Sequence, residues 1–388
     1  MPDKHIVLSL MDGLFQGGSP IMHASIVSWL QHHSDQRHDV LSYTSRVQRE
    51  HSIQDIHASL PHAMLTEAQV GLHWLTRSAE DEYSDMDLLF AEQLMRGSDV
   101  LFSLKEQPLA LLRRIGGVER PVVVALHRSD PANQGGGVSA LRDCLADGTV
   151  RLAVCCAYSV RQAYASAFGL PDDMLPVIPN GVDLTRFTPS SRRRGRARSA
   201  LGIPAQAPVI LISARYAGMK NIPLFIRTAA LLLENRPDAW FVMCGAGMTE
   251  DNGDLQNLLD HHVPEDLHHR FLRIGIRNAM ENVYPVADLA VLTSSYGEAS
   301  PLSLMEAMAC GVVPVTTDVG DSALIVGDDR LVGPQEAQPL AERWDEALAG
   351  GDALRASVLE RREQLDRTTR HPRHGAIPAS VALGQSRI

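Results

Sequence analysis

Lysine is almost missing from this chain. Lys4, Lys105 and Lys220 are the three among 36 basic residues, and the rest are arginine. Long apolar runs are missing too: none approaches the ~20 residues that a bilayer-spanning helix needs. The N-terminus offers Lys4 and a short run from Ile6 to Met11, followed by Asp12. That run is too short for the apolar region of a secretory signal. Cysteine is sparse and odd in number, and Cys144, Cys155, Cys156, Cys244 and Cys310 show no metal-ligand spacing. Free thiols in a reducing cytosol are the expected state. No internal repeat with a period of about 20–50 residues occurs, which excludes a solenoid. Positive charge is not in excess. The formal net charge is −10, which argues against general nucleic-acid binding.

Against these absences stand 388 residues, 45% hydrophobic and 21% charged. At roughly 150 residues per domain, that length implies two domains, at most three. The composition suits a soluble globular protein with sizeable cores, and it excludes wholesale disorder, a collagen-like repeat or a disulfide-stapled miniprotein. Short β-branched runs alternate with amphipathic stretches of helix length. Strands are expected at His5–Leu10, Val100–Ser103, Val122–Leu126 and Leu152–Cys155. In the second half they are expected at Val209–Ser213, Trp240–Cys244, Phe271–Ile274, Leu289–Thr293 and Val312–Thr316. A glycine-bearing loop, residues 11–18, separates the first strand from a helix expected at Ser19–His33. Strands alternating with helices make parallel, doubly wound sheets. The fold class is therefore α/β, with two Rossmann-like domains.

Asn180-Gly181 supplies a turn after Val177-Ile178-Pro179. The expected N-terminal domain covers residues 1–185 and the C-terminal one 186–365. Residues 366–388 form a tail, disordered or crossing back to the first domain. The polar, arginine-rich run from Ser190 to Arg198 admits a nucleic-acid or anionic-lipid patch. The favoured reading is a solvated helix leading into the second domain.

The richest stretch runs from Leu289 to Gly311. A buried strand leads through a loop into a helix expected to start at Ser300-Pro301, with Ser300 as N-cap and proline suited to the first turn. Gly311 is a favoured stop. A helix N-terminus at the carboxyl edge of a parallel sheet is where doubly wound folds bind anions. Glu298 and Glu306 flank that start. Two carboxylates repel an anion but can hold hydroxyl groups on either side of it. The neighbours Leu304, Met305, Met308 and Ala309 make the helix look buried nearly all round, so the Glu306 carboxylate needs a partner. A second strand–loop–helix runs from Val209 to Pro223, with Asn221 as N-cap. Arg215 and Lys220 flank its loop. Arginine offers a fork to phosphate and lysine a compact point charge.

These motifs in this order resemble the retaining glycosyltransferases of family 4. The matching residues are Asn180-Gly181-Val182-Asp183, Ala214-Arg215 with Lys220, Gly245-Ala246-Gly247, Ala287-Asp288-Leu289, Glu298 and Glu306 with seven residues between them, and Thr317 to Asp321. The resemblance is strong from about residue 152 to 328 and weaker before it. It implies the GT-B architecture, two Rossmann-like domains facing a central cleft. It also implies a UDP- or GDP-linked sugar donor held mainly by the second domain, with no further cofactor and no metal. On that analogy Arg215 and Lys220 bind the diphosphate, Glu298 contacts the sugar and Glu306 the ribose. Ala299, Ser300, Pro301 and Leu302 count as one donor-binding turn, with Ser300 and Leu302 supplying backbone N–H groups to the sugar or phosphate. Gly245 and Arg277 border the donor, with the base near Gly275-Ile276-Arg277. Gly17 and Gly18 match the glycine-rich turn of the first domain that approaches the donor, and His127 the acceptor-side histidine. The sequence departs from the family where Glu298-Ala299-Ser300-Pro301 replaces Glu-Gly-Phe-Pro and where Ala157 replaces a common serine.

The implied reaction is transfer of a hexosyl-type sugar to a hydroxyl of a saccharide, lipid-linked saccharide or small molecule. Front-face attack is its expected mechanism, and double displacement through Glu298 the alternative. Cytoplasmic location is expected, with peripheral membrane contact if the acceptor is lipid-linked. A phosphorylase or sugar-phosphate synthase needs extra cations, for which Arg113, Arg114 or Arg128 would serve. A catalytically silent nucleotide-sugar-binding subunit should lack one of Arg215, Lys220, Glu298 or Glu306, and all four are present. Asp85-Met86-Asp87 mimics a metal-binding pair but reads as acids opening a helix. The adjacent histidine pairs cannot share a helix face. Loops at Ser45–Glu67 and Ser129–Gly137 are the expected acceptor determinants, the latter closing over substrate through Gly135-Gly136-Gly137.

Overall fold

The computed structural model describes residues 5–49, 52–133 and 137–366. Gly135, Gly136 and the tail from residue 367 lie outside the described residues. The chain divides into two units between Pro179 and Asn180, ahead of the 185/186 boundary expected.

The first unit is built on strands β1 (Ile6–Met11), β2 (Arg37–Ser42), β3 (Gly71–Trp74), β4 (Val100–Leu104), β5 (Val122–Leu126) and β6 (Val150–Cys155). They form a parallel sheet in the order β3-β2-β1-β4-β5-β6. Its helices are α1 (Gly18–His33), α2 (Leu60–Glu67), α3 (Asp85–Arg96), α4 (Gln107–Ile115), α5 (Gly137–Ala146) and α6 (Tyr158–Phe168). Helices on both faces explain why β5 is buried along its whole length and carries no polar alternation. β2 and β3 escape a hydrophobic reading. β2 opens on charged Arg37, and β3 is a four-residue edge strand containing glycine and histidine, a composition with little β signal. Asp87 does cap α3, through reciprocal bonds with Ser84.

The second unit repeats the plan. β7 (Val209–Ser213), β8 (Trp240–Cys244), β9 (Phe271–Gly275), β10 (Leu289–Leu292), β11 (Val313–Thr317) and β12 (Val332–Gly333) form a parallel sheet in the order β9-β8-β7-β10-β11-β12. Its helices are α7 (Ser191–Ala200), α8 (Ile222–Asn235), α9 (Gly253–His262), α10 (Leu302–Ala309), α11 (Ser322–Val326) and α12 (Ala337–Glu360). The period-two alternation of a strand divides the core in two. Ile210 and Ile212 pack with Phe225, Phe241 and Trp344 on one face. Val209 and Leu211 pack with Tyr284, Met305 and Met308 on the other. α12 kinks at Gly351, where φ is 45°. The chain then returns to the start of its own unit, where the Val182 N–H bonds the Leu365 carbonyl at 2.9 Å.

The solvated reading of the 190–198 run needs correction. Arg198 is buried, and its guanidinium donates to the carbonyls of Val286, Ala205 and Ala207 and to Asp288 at 2.9 Å. Arg194 joins it on Asp288 at 2.6 Å. The opposite oxygen of that carboxylate also accepts the N–H that opens β7. One face of α7 is thus an internal brace, while Arg192 and Arg196 remain exposed.

Candidate functional site

Both sheets share the order 3-2-1-4-5-6. In such a sheet the connections leave opposite faces at the two central strands, and a crevice opens at their carboxyl ends. In the second unit those strands are β7 and β10. The loop after β7 carries Arg215 and Lys220, and the loop after β10 carries Glu298.

The two loops are tied to each other. The Thr293 hydroxyl donates to the Lys220 carbonyl at 2.9 Å, and the Ser295 N–H donates to the Met219 carbonyl at 2.9 Å. Asn221, in the left-handed region at φ 49°, caps α8 by accepting from the Leu224 N–H. On the other side, the Ala214 and Tyr216 N–H groups bond the Cys244 and Ala246 carbonyls at 2.9 and 2.8 Å. That approach demands glycine at position 245. A methyl there would lie 2.0 Å from the Ala214 carbonyl oxygen, and φ is 139°. The Lys220 ammonium contacts the Glu298 carboxylate, with side chains 16% and 7% exposed. Ser294 donates to the same carboxylate oxygen at 2.5 Å. A nearly buried charge pair with an added hydroxyl donor is costly to assemble, and it stands at the switch point.

The backbone around Glu298 is held by its carbonyls. Thr317 donates to Ser294 O at 2.6 Å, Gln335 to Ser295 O at 3.1 Å, the Asp321 N–H to Ala299 O at 2.8 Å and Asn180 Nδ2 to Ser300 O at 3.0 Å. Gly320, at φ 62°, leans on the Glu298 carbonyl so closely that a methyl would lie 2.3 Å from it. A trans peptide points its N–H opposite to its C=O. With carbonyls 298 and 299 turned inward, the N–H groups of Ala299 and Ser300 face the other way. Among the described residues, the N–H groups of Ala299, Ser300, Leu302 and Ser303 donate to no protein group. Ala299 itself is 4% exposed, and unbonded donors on buried backbone are rare. The helix start differs from expectation. α10 begins at Leu302 with Pro301 in the N-cap position, and no side chain caps it. Ser300 contributes its backbone rather than its hydroxyl.

Glu306 lies one turn further along α10. Its partner is Tyr284, whose hydroxyl donates to Oε2 at 2.8 Å. Burial is the main force pushing its carboxyl up to about 7, opposed by the Tyr284 bond and by Arg186. The folded protein holds this proton more tightly than the unfolded chain does. Stability is therefore full below the ordinary carboxyl value and is lost as pH rises through about 7. Glu306→Gln is expected to melt like wild type near pH 5 and higher than wild type near pH 8. A difference in melting temperature that does not vary with pH would contradict this.

The remaining expected residues fall on their sheet edges. Arg277 follows β9 and is exposed, two strands from the switch point. In the first unit Gly17 and Gly18 open α1 after β1, and His127 follows β5. Of the extra cations, Arg113 pairs with Asp147 and Arg114 with Glu82, whereas the buried Arg128 Nε has no hydrogen-bond partner. Sequence reasoning missed Ser294, Tyr284 and the side-chain role of Asn180. A resemblance marks motif positions, but it does not say which side chain bonds which carbonyl. Among the described residues, no group of three or more His, Cys, Asp or Glu is placed to hold a metal, and no helix is long and apolar enough to cross a membrane.

Residues 193–371 match the family model of the glycosyl transferases group 1. A D-inositol 3-phosphate glycosyltransferase of Arthrobacter is 34% identical over 200 residues, 48% of this chain and 46% of the relative. An Escherichia coli UDP-Gal:alpha-D-GlcNAc-diphosphoundecaprenol alpha-1,3-galactosyltransferase is 30% identical over 159 residues, 40% of this chain and 39% of the relative. The chain thus spans less than half the length of these curated relatives. Among solved structures, Anabaena HepE in complex with UDP-glucose is similar with a TM-score of 0.76 at 19% identity, covering 99% of this chain and 100% of that one. Sucrose-phosphate synthase from Thermosynechococcus elongatus is similar with a TM-score of 0.71 at 16% identity, covering 98% and 97%. At such identities the shared property is the fold, two parallel-sheet α/β domains of the GT-B type.

Proposed function

We propose that the chain is a retaining glycosyltransferase of family 4 type, moving a hexosyl-type sugar from a UDP- or GDP-sugar to a hydroxyl acceptor. The observation that carries this reading is the Lys220–Glu298 pair beside the unbonded amides at the start of α10. A diphosphate facing those amides would meet Lys220 and Arg215. Glu298 would exchange its ammonium partner for sugar hydroxyls, Glu306 would accept from the ribose, and the base would lie toward Arg277. Gly17 and Gly18 would belong to the donor site, and His127 would serve the acceptor side.

In the reaction the bond from the anomeric carbon to the diphosphate oxygen breaks and a bond to the acceptor oxygen forms on the same face. The acceptor proton passes to the departing phosphate oxygen, so no protein base is required. Arg215, Lys220 and the helix start stabilise the charge that develops on the leaving group. With cations supplied by the chain, turnover needs no divalent metal. The relatives' names point to acceptors carrying a phosphate or a lipid-linked diphosphate. A lipid-linked acceptor would bring the protein to the cytoplasmic membrane face. A second reading, a sugar-phosphate synthase, is favoured by Arg128, whose buried Nε has no hydrogen-bond partner.

Donor hydrolysis and transfer assayed over a panel of UDP- and GDP-sugars, with and without EDTA, test the proposal. The expected result is nucleotide release from one donor class at a rate EDTA leaves unchanged. No release from any donor would overturn the transferase reading, and loss on chelation would overturn metal independence.

A further inference from the structure

The amides expected to face the diphosphate lie on a helix start that does not orient itself. α10 has proline at its N-cap position and no side-chain cap. Proline lacks an N–H, so the peptide between Ser300 and Pro301 has only its carbonyl through which to be held. That carbonyl accepts from Asn180 Nδ2 at 3.0 Å, across 120 residues of chain. Asn180 is 5% exposed, so the bond is shielded from competing water. The preceding carbonyl, of Ala299, is held by the Asp321 N–H. Rotating either peptide would swing the unbonded N–H groups of Ala299, Ser300 and Leu302 off any common target.

We propose that Asn180 is a positioning residue for diphosphate recognition: its side-chain amide, by holding the Ser300 carbonyl, aims the backbone N–H groups at the start of α10. It touches no substrate. This rests on the nucleotide-sugar reading above, and it adds that the aim is set from outside the helix. Asparagine is suited to the task because its Nδ2 donates while carrying no charge beside an anion site.

Titration calorimetry of the full chain with UDP, and separately with UMP, tests the proposal, GDP and GMP replacing them if the protein selects guanine. UMP shares the base, ribose and first phosphate but lacks the second. Asn180→Ala removes about one hydrogen bond of orientation. It is expected to weaken UDP about tenfold and to leave UMP within about twofold. Equal weakening of both nucleotides would mean a general structural role, and unchanged UDP binding would mean none. Either result overturns the proposal.

Asn180→Asp supplies a second readout that does not depend on the alanine variant folding. A protonated carboxyl at 180 can donate to the Ser300 carbonyl and an ionised one cannot. Its UDP deficit relative to wild type is expected to shrink as pH falls from about 8 toward about 5. A deficit constant with pH would contradict the donor role. If wild type binds neither nucleotide in either base, the nucleotide-sugar reading fails first, and the proposal falls with it.

Discussion

Lys220→Ala is expected to lower turnover by about 10²–10³-fold, the loss typical when one preorganised donor to a developing anion is removed. Arg215→Ala should fall in the same range. The geometry adds a stability effect peculiar to Lys220. Its ammonium is the ion-pair partner of a Glu298 carboxylate that is only 7% exposed. Removing the cation takes the ammonium away from a carboxylate with little access to solvent, although the Ser294 hydroxyl still donates to it. Removing one partner of a nearly buried ion pair is destabilising, so Lys220→Ala should also melt below wild type. The double variant Lys220→Ala with Glu298→Gln separates the two effects. It should recover stability, because the nearly buried carboxylate is no longer charged, while turnover stays low. Recovery of both would assign Lys220 to the fold alone. Unchanged turnover in the single variant would remove it from the site.

The second large effect is expected far from the chemistry. Arg198→Met should destabilise the protein by about 3 kcal/mol, lowering the melting temperature by about 6–12 °C. The arginine is 3% exposed and bonds backbone carbonyls just ahead of β7 and just ahead of β10 as well as Asp288. Methionine keeps the volume but cannot donate, so buried carbonyls lose their donor. Arg192→Met, on the exposed side of α7, should change the melting temperature by less than about 2 °C. Equal shifts for the two variants would restore the solvated reading of this helix. Donor turnover measured below the melting transition should survive Arg198→Met, because the brace supports β7 from its amino end rather than its carboxyl edge.

The contrast between these two arginines shows where the sequence is informative. Strands such as Val209–Ser213, Trp240–Cys244 and Val122–Leu126 are legible end to end because burial on both faces writes an uninterrupted apolar run. Lys220 and Glu298 stand out because each follows such a run in a loop, and because lysine is rare in this chain. Arg198 does not stand out. A run of arginines looks the same whether a member faces water or a ring of carbonyls, and only tertiary packing decides. Arg37–Ser42 and Gly71–Trp74 are lost for a related reason: their pairing partners, not their own side chains, make them strands. Asn180 signals a turn through its local chemistry, while its partner is 120 residues away. Pro301 was legible as a helix opener, but its place one residue before the first turn depends on how Ser300 and Ala299 are held from outside.

Lys220 and the amides opening α10 are proposed to converge on one diphosphate. A crystal structure of the chain with bound nucleoside diphosphate tests this most directly. The second phosphate is expected within hydrogen-bonding distance of the Lys220 ammonium and of the backbone N–H groups between Ala299 and Ser303, with the ribose hydroxyls on Glu306. A nucleotide bound with its phosphates away from Lys220, and with those amides still unbonded, would contradict it.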